Sequence, residues 1–340
     1  MSTTIAILSA VAGLVVIALL GVALYLMSQA KKTRIMAQQV EAAVPPQGQY
    51  IQISTGRLHY TDIGTGRPVL LIHGLGGQLR TMTLFLTAAL GRKFRVIAVD
   101  RPGMGYSDRP EEMPATIDAQ AGYMEEVIDR LNLQKPIVVG HSLGGAIAAA
   151  LALRAPEKVA GLALIAPLLR PSSKSTTAFA ALGVTNPRTR RLLARTLAVP
   201  GMVKNQDVTR TEIFGPDPVP AAYTKEGGGL LSLRPKSFLN TSRDYCAVGE
   251  TIGSQWQAYG DLRMPVRILY GTEDRILDHT EQGIEVAERY PHMQLELLPN
   301  AGHMLVTNHV DAVVRTVEAV AADLGPKLVT PGPPRADVIA

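Results

Sequence analysis

Residues 137–152 read IVVGHSLGGAIAAALA, and this stretch decides the fold. The apolar run 137–139 predicts a buried strand, and the small residues from 145 onward predict a closely packed helix. Between them lies a Gly-x-Ser-x-Gly pattern whose glycines, Gly140 and Gly144, permit a turn tight enough to expose the hydroxyl of Ser142 above a sheet. The same pattern without a strand before it and a helix after it would be a chance match. In this context it predicts a nucleophilic serine.

The chain around this stretch alternates short β-rich runs with helical stretches. The runs 69–72 and 96–99 are apolar at every position, as strands are when helices cover both faces of a parallel sheet. The pattern predicts a layered α/β body. Strands are expected at 50–54, 58–62, 68–72, 94–99, 136–139, 159–165, 266–270 and 293–298, and helices at 81–90, 117–131, 143–154, 280–290 and 306–324.

The alternation is interrupted between residues 168 and 260, where proline, glycine and basic residues are frequent. We interpret 168–260 as a cap inserted into a core formed by 49–167 and 261–324. Residues 31–48 end in Pro-Pro-Gln-Gly and are expected to form an extended linker. The tail 325–340 contains four prolines and is expected to be disordered.

Residues 1–30 contain an uncharged run of 23 residues, 5–27, which is long enough to cross a bilayer as a helix. A cleaved signal peptide is the alternative, but no basic residue precedes the run, and it exceeds a signal-peptide core of about 7–15 residues. Lys31, Lys32 and Arg34 follow the run directly, so the positive-inside rule predicts a single-pass protein with its body on the cytoplasmic side.

The composition restricts the partners. A single cysteine cannot form an internal disulfide or supply a thiolate metal site. A net charge of +5 with 5% aromatic residues does not resemble a nucleic-acid-binding surface. We therefore expect no cofactor, no metal, no nucleic acid and no obligate protein partner. A small-molecule or lipid ester and the membrane lipid itself are the expected partners.

A serine nucleophile needs a base, and the base needs a group that holds its tautomer. His303 follows the last expected strand, and Asp274 follows the strand 266–270, so both lie at the carboxyl edge of the sheet where Ser142 is expected. The order Ser, Asp, His is that of triads with this serine turn. Glu273 and Asp278 compete for the role of the acid, although Asp278 is better placed to cap the next helix.

The remaining histidines are given no catalytic role. His59, His279 and His292 are expected to face solvent, and His309 to lie on the surface or between helices.

Two backbone amides are expected to stabilise a tetrahedral oxyanion. One belongs to Leu143, directly after the nucleophile. The other is expected from Leu75, in the glycine-rich turn His73-Gly74-Leu75-Gly76-Gly77. A phosphate-binding loop is the rival interpretation of this turn, but no Lys-Ser or Lys-Thr pair follows it.

Together these motifs resemble the α/β-hydrolase superfamily over residues 49–324. The matching segments are His73-Gly74, DRPGMGYS at 100–107, GHSLGG at 140–145, GTED at 271–274 and Gly302-His303. The resemblance implies an eight-stranded, mostly parallel sheet with helices on both faces and a helical cap inserted after the sixth strand. It also implies that 100–107 forms a structural turn with no catalytic role.

Within that superfamily, a serine at 142 argues against the dehalogenases and epoxide hydrolases, which use aspartate. Leu75 is not aromatic, unlike the residue common in perhydrolases, and 73–78 lacks the Gly-Pro-Gly of carbon–carbon hydrolases. Ester or thioester hydrolysis remains. The anchored topology with a short connector resembles that of membrane-associated monoacylglycerol lipases. The hypothesis is a membrane-anchored, lipase-like serine esterase. A carbon–carbon hydrolase with the same triad and a non-catalytic ligand-binding protein stay open.

The expected cap is basic, with 12 Lys or Arg against 6 Asp or Glu over 168–260. Four arginines alternate with leucines in one short stretch. They could form an amphipathic basic face lying on anionic lipid, and an ordinary solvated helix face is equally compatible with the pattern. The residues are Arg188, Arg190, Arg191 and Arg195 with Leu192, Leu193 and Leu197.

Overall fold

The computed structural model describes residues 2–174 and 177–325 and has one eight-stranded sheet at its centre. The sheet order is β1-β2-β4-β3-β5-β6-β7-β8, with β1 and β2 antiparallel and β3 to β8 parallel. The predicted mostly parallel sheet is confirmed. Its strands are β1 (Gln49–Ile53), β2 (Gly56–Ile63), β3 (Arg67–Ile72), β4 (Phe94–Val99), β5 (Ile137–His141), β6 (Gly161–Ile165), β7 (Val266–Gly271) and β8 (Met293–Leu298).

Helices cover both faces of the central strands. Leu70 and Leu71 point to opposite faces because side chains alternate along a strand, yet both are fully buried. The core helices are α2 (Leu79–Leu90), α3 (Ile117–Arg130), α4 (Leu143–Arg154), α9 (Glu285–Arg289), α10 (Leu305–Asn308) and α11 (Val310–Asp323).

The helical cap expected after the sixth strand lies between β6 and β7. Its helices are α5 (Pro187–Arg195), α6 (Ala198–Lys204), α7 (Gln206–Phe214) and α8 (Pro235–Gln257), joined by short 3₁₀ turns that include Gly229–Leu233. The cap residues that the structure describes form no strand.

One long helix, α1 (Ser2–Ala43), precedes the sheet. Within the described ranges it is the one helix long and apolar enough to span a membrane, judged by length and composition. Its apolar side chains project outward, with Leu14 and Met27 both 68% exposed. The extended linker expected over 31–48 is wrong for 31–43, which continue α1. This segment is rich in Ala, Gln and Lys, which favour helix, and it buries Val40 against the body.

Two core helices differ from their predicted form. The helix expected over 306–324 breaks at His309, whose φ of −127° and ψ of 48° are not helical. Cap residues contact the chain at this break: Asn308 Nδ2 donates to Pro218 O at 2.8 Å, and His309 Nε2 lies 3.0 Å from Asp217 Oδ1. The helix expected over 280–290 begins with a π-helical turn, Thr280–Ile284, before α9. The expected disordered tail lies, from residue 326, outside the described residues.

Candidate active site

Ser142 lies on the turn between β5 and α4 in a strained backbone conformation. Its φ of 55° and ψ of −120° belong to a region that side chains other than glycine rarely adopt, at a cost of about 1–3 kcal/mol. Neighbouring backbone holds the turn in place. The N–H of Ser142 donates to Ile165 O at 3.0 Å, and its carbonyl accepts from Gly145 N at 2.8 Å and Leu168 N at 3.0 Å.

The glycines of this turn are required by close backbone contacts. A Cβ at Gly144 would lie 2.2 Å from the carbonyl oxygen of Ile72, and one at Gly140 would lie 2.4 Å from the carbonyl oxygen of Gly144. Neither contact is possible for a real side chain. The two positions therefore allow α4 to start directly against β3 and β5, which is what turns Ser142 toward the cavity described below.

His303 and Asp274 form a buried pair at the carboxyl edge of the sheet. Nδ1 of His303 lies 2.7 Å from Oδ2 of Asp274, and the two residues are 4% and 6% exposed. The other carboxylate oxygen, Oδ1, accepts from the N–H groups of Ile276 at 2.8 Å and Leu277 at 3.0 Å. Since an ionised carboxylate only accepts, His303 carries its proton on Nδ1, and its Nε2 is free to accept one.

The two competing acids occupy other environments. Glu273 is exposed, and Asp278 accepts from Thr280 N at 2.8 Å at the start of the following helical turn. Neither carboxylate contacts His303 in the described part of the chain.

His141, between Gly140 and Ser142, is a second buried histidine at the site. Its Nε2 donates to the carbonyl of His303 at 3.1 Å, and the two rings lie 4.9 Å apart. Burial, and then the neighbouring His303, lower the pKa of His141 to about 3, so it stays neutral and acts as a hydrogen-bond donor. No role was predicted for His141, although its position inside the serine motif was a signal.

Asp217 of the cap also fixes the His303 turn. Its Oδ2 accepts from Gly302 N at 2.9 Å, while its Oδ1 contacts His309. A Cβ at Gly302 would lie 2.5 Å from the carbonyl of Gly215, so the cap segment 214–218 packs directly on this turn. No sequence pattern pointed to Asp217, because it is 85 residues from Gly302 along the chain.

Leu75, one of the two expected oxyanion donors, lines the same cavity as Ser142, and the other, Leu143, follows Ser142 directly in the chain. Leu143 is the first residue of α4, and the first N–H groups of a helix have no acceptor within the helix. Leu75 lies in the loop after β3. A Cβ at Gly74, the residue before it, would lie 3.0 Å from Ser142 Cβ, so glycine there allows the loop to approach the nucleophile.

His73 shapes this loop from the inside. Its Nδ1 donates to Gly74 O at 2.8 Å, and its Nε2 accepts from Arg101 N at 3.0 Å, which requires the neutral ring. Burial, and then Arg101, lower the pKa of His73 to about 3. The side chain is therefore a structural hydrogen-bonding group at ordinary pH.

Arg101, in the loop after β4, links the cap to the loop that carries Leu75. Its fully buried guanidinium donates to His73 O at 3.0 Å and to Gly74 O at 2.9 Å, and contacts Asp244 Oδ2 at 2.8 Å. Asp244 lies on α8 and also pairs with Arg109 at 2.7 Å. Residues 100–107 were predicted to form a structural turn, and no separate role was predicted for Arg101.

Histidine placement was predicted with mixed success. His59 was expected to face solvent, which is wrong: it is 2% exposed, and its Nδ1 lies 2.7 Å from Asp100 Oδ2. Asp100 also accepts from Leu79 N at 2.7 Å, so the pair ties β2 to the start of α2. His292 is exposed as expected, whereas His279 is half-buried.

A cavity of about 250 Å³ joins the nucleophile turn to the cap. Its floor includes Ser142, His303 and Leu75, and its walls are largely apolar. Three polar cap residues, Gln206, Thr209 and Arg210, line the part formed by α7. The wall side chains from the cap include Phe179, Leu182, Met202, Ile213, Phe214, Leu230 and Leu233.

A buried histidine–carboxylate pair beside a strained serine turn defines a hydrolase of the α/β class, and comparison with known proteins agrees. A family model for the alpha/beta hydrolase fold matches residues 67–310, which is more than half of the chain. The chain therefore belongs to the α/β-hydrolase family.

Among curated relatives, a 2-hydroxy-6-oxononadienedioate/2-hydroxy-6-oxononatrienedioate hydrolase of Comamonas testosteroni is 25% identical over 277 residues, or 77% of this chain and 90% of that protein. An acetyltransferase component of the acetoin cleaving system of Cupriavidus necator is 37% identical over 121 residues, and the chain spans 32% of its length. Haloalkane dehalogenase 2 of Mycobacterium bovis is 35% identical over 120 residues, and the chain spans 42% of its length. An esterase from Thermogutta terrifontis matches with a TM-score of 0.64 and 24% identity, covering 82% of this chain and all of that one. A membrane phospholipase A matches with a TM-score of 0.58 and 22% identity, covering 93% and 98%. The two structural matches show the fold.

Proposed function

We propose that the protein is a membrane-anchored serine hydrolase that cleaves carboxylic esters with lipid-like acyl chains. One observation carries the proposal: His303, which is buried in a pair with Asp274, lines the same cavity as Ser142, and Ser142 lies on a strained turn. Each of the three side chains is of the type that its proposed role requires. The hydroxyl needs a base, the imidazole needs a free Nε2, and the carboxylate needs a fixed position.

In the proposed reaction, His303 Nε2 takes the proton from Ser142 Oγ as the oxygen attacks the ester carbonyl carbon. The carbonyl oxygen becomes an oxyanion, which accepts hydrogen bonds from the N–H groups of Leu143 and Leu75. When the tetrahedral intermediate collapses, the imidazolium gives its proton to the departing alkoxide, and the acyl group remains on Ser142. A water molecule then repeats the sequence and releases the carboxylic acid, with Asp274 stabilising the imidazolium in both halves.

The cavity walls and α1 support the substrate class. Apolar side chains from the cap favour an acyl chain over a polar leaving group at that end. An anchor that spans the membrane would raise the effective concentration of a lipid-borne ester at the site without any added contact to it. The exposed Lys31, Lys32 and Arg34 after the apolar run support an orientation with the body on the cytoplasmic side.

Labelling of the full chain in detergent with a fluorophosphonate probe tests the nucleophile. Ser142→Ala should abolish labelling, and His303→Ala should reduce it strongly. Ser232→Ala is the matched control, because Ser232 lines the same cavity and donates instead to Gly229 O at 2.8 Å. Undiminished labelling of Ser142→Ala, or its loss in Ser232→Ala, would contradict the assignment.

Carbon–carbon bond hydrolysis is a second candidate with the same three residues. The relative from Comamonas testosteroni, aligned over most of both chains, favours it. Turnover of a vinylogous diketone by the full chain, compared with esters and thioesters of matched length, separates these activities. Tight binding of esters without turnover would instead support a ligand-binding protein.

A further inference from the structure

Besides forming the proposed membrane span, helix α1 is attached to the cap. Thr33 is 1% exposed, and its Oγ1 donates to the carbonyl of Thr196, between α5 and α6, at 2.9 Å. Further along, Val40 of α1 and Val44, the first residue after α1, pack with Leu231 of the cap in a small buried cluster. The body therefore does not move freely on a flexible linker, and the height of the cap above the bilayer is set by α1.

This height follows from helix geometry. The apolar run ends at Met27, six residues before Thr33, which corresponds to about 9 Å along the helix axis. Each polar interfacial layer of a bilayer is about 5–8 Å thick, from the difference between total and hydrocarbon thickness. The junction of α5 and α6 at Thr196 therefore lies at the outer edge of the headgroup layer, within reach of long side chains.

The α5 surface at this height combines cations with exposed leucines. Arg188, Leu192 and Arg195 recur at spacings of three and four residues, so they share one face of α5. Leu192 is 51% exposed, and Leu197, just beyond the helix, is 36% exposed. We name these four residues the basic cap face.

Two other arginines of the predicted basic face are already engaged. Arg190 is 8% exposed and donates to Val184 O at 2.8 Å and to Ser242 Oγ at 2.9 Å, so its expected place on the surface is wrong. Arg191 pairs with Glu111 at 2.8 Å. Among the described residues, no carboxylate pairs with Arg188 or Arg195, which leaves both cations available to an external anion.

We propose that the basic cap face lies in the headgroup layer of an anionic bilayer, with its arginines on lipid headgroups and its leucines below them. The inference rests on the membrane anchoring in the proposed function and extends it to the cap. Complementary charge and the fixed position beside α1 identify the bilayer as the occupant. The next helix, α6, also supplies Met202 to the cavity wall, so this contact would bring the cavity close to its lipid.

Depth-dependent fluorescence quenching tests the contact directly. Leu192→Trp and Ile63→Trp are prepared in the full chain, reconstituted in vesicles containing brominated phospholipid, and compared with the native protein, whose Trp256 gives the baseline. Ile63 is the matched control: it is 48% exposed, but it lines a surface pocket with Gln47, beyond the end of α1. Since α1 continues 16 residues past Met27, this region lies about 24 Å from the end of the apolar run, which is about 15 Å farther than Thr33.

We expect bromine to quench the emission that the Leu192→Trp variant adds to the baseline, and to leave the Ile63→Trp increment unchanged. Absence of quenching in Leu192→Trp would overturn the proposal, as would equal quenching of both variants. Far-UV circular dichroism, which does not depend on turnover, checks that both variants fold. Because quenching does not require turnover, a negative result here with intact esterase activity rejects this inference alone. Quenching without esterase activity rejects the proposed function alone.

Charge removal tests the identity of the lipid. Each cation near an anionic surface contributes about 1 kcal/mol, or roughly a factor of five in equilibrium constant. Arg188→Gln with Arg195→Gln, added to Leu192→Trp, should therefore lower the ratio of docked to undocked cap by roughly 30-fold in anionic vesicles. In neutral vesicles the same pair should change little. Quenching that is equal in neutral and anionic vesicles, and insensitive to the double variant, would exclude anionic lipid as the occupant.

Discussion

Replacing Asp274 by asparagine isolates the role of the acid. The substitution preserves shape, and the remaining side-chain oxygen can still accept from the N–H groups of Ile276 and Leu277. The new amide nitrogen, however, would face His303 Nδ1 at about the 2.7 Å now occupied by a carboxylate oxygen. An amide N–H there makes Nδ1 the acceptor and moves the imidazole proton to Nε2, the nitrogen that must accept the proton of Ser142.

The expected loss is about 10⁴ in kcat, the size found when this tautomer is inverted in other triads, which corresponds to about 5.5 kcal/mol of transition-state stabilisation. Stability should change little because the backbone hydrogen bonds remain. Steady-state hydrolysis of a soluble ester and a thermal melt of each protein measure the two quantities.

Glu273→Gln is the control for this experiment. It removes the adjacent, exposed carboxylate and should leave kcat within about twofold, as expected of a surface substitution. If Asp274→Asn kept a tenth or more of the native kcat while Glu273→Gln or Asp278→Asn lost activity, the acid would be misassigned and the tautomer argument refuted.

Three further outcomes follow from the site. Arg101→Lys cannot reach His73 O and Gly74 O together, so we expect kcat to fall about 10- to 100-fold with little change in KM, which steady-state kinetics measures. Gly144→Ala should prevent folding, whereas Gly201→Ala, with no atom within 4 Å of the new methyl, should fold normally when compared by circular dichroism. Because burial lowers the pKa of His73 to about 3, below about pH 6.5 the unfolded chain binds a proton that the folded chain does not. This residue should thus reduce stability by up to about 1.4 kcal/mol per pH unit as pH falls toward 3, and His73→Gln should flatten that slope in denaturant titrations.

The sheet was predictable because its strands are short apolar runs bounded by turn residues, a local property. The same holds for the serine turn, whose glycines are dictated by contacts within 140–145 and with β3. His303 and Asp274 could be proposed from their positions directly after strands, since parallel strands bring their carboxyl ends to one edge.

Contacts between the cap and the core could not be predicted in this way. Arg101 and Asp244 are 143 residues apart, and Asp217 and Gly302 are 85 residues apart, with no local pattern connecting either pair. The helical continuation of α1 depends similarly on burial against Leu231. The burial of His59 could not be predicted because its partner carboxylate, Asp100, follows a different strand, β4. This pairing makes burial of the imidazole favourable.

The guanidinium of Arg101 is shared between α8 and the carbonyls that shape the loop bearing Leu75. A cap swung away from the core would take Asp244 with it and leave a fully buried cation without its anion, which is a costly arrangement. An opening of the cap that separates Asp244 from Arg101 would therefore also remove support from the loop that carries Leu75. Under the proposed function, we expect turnover only when the cap is closed on the core.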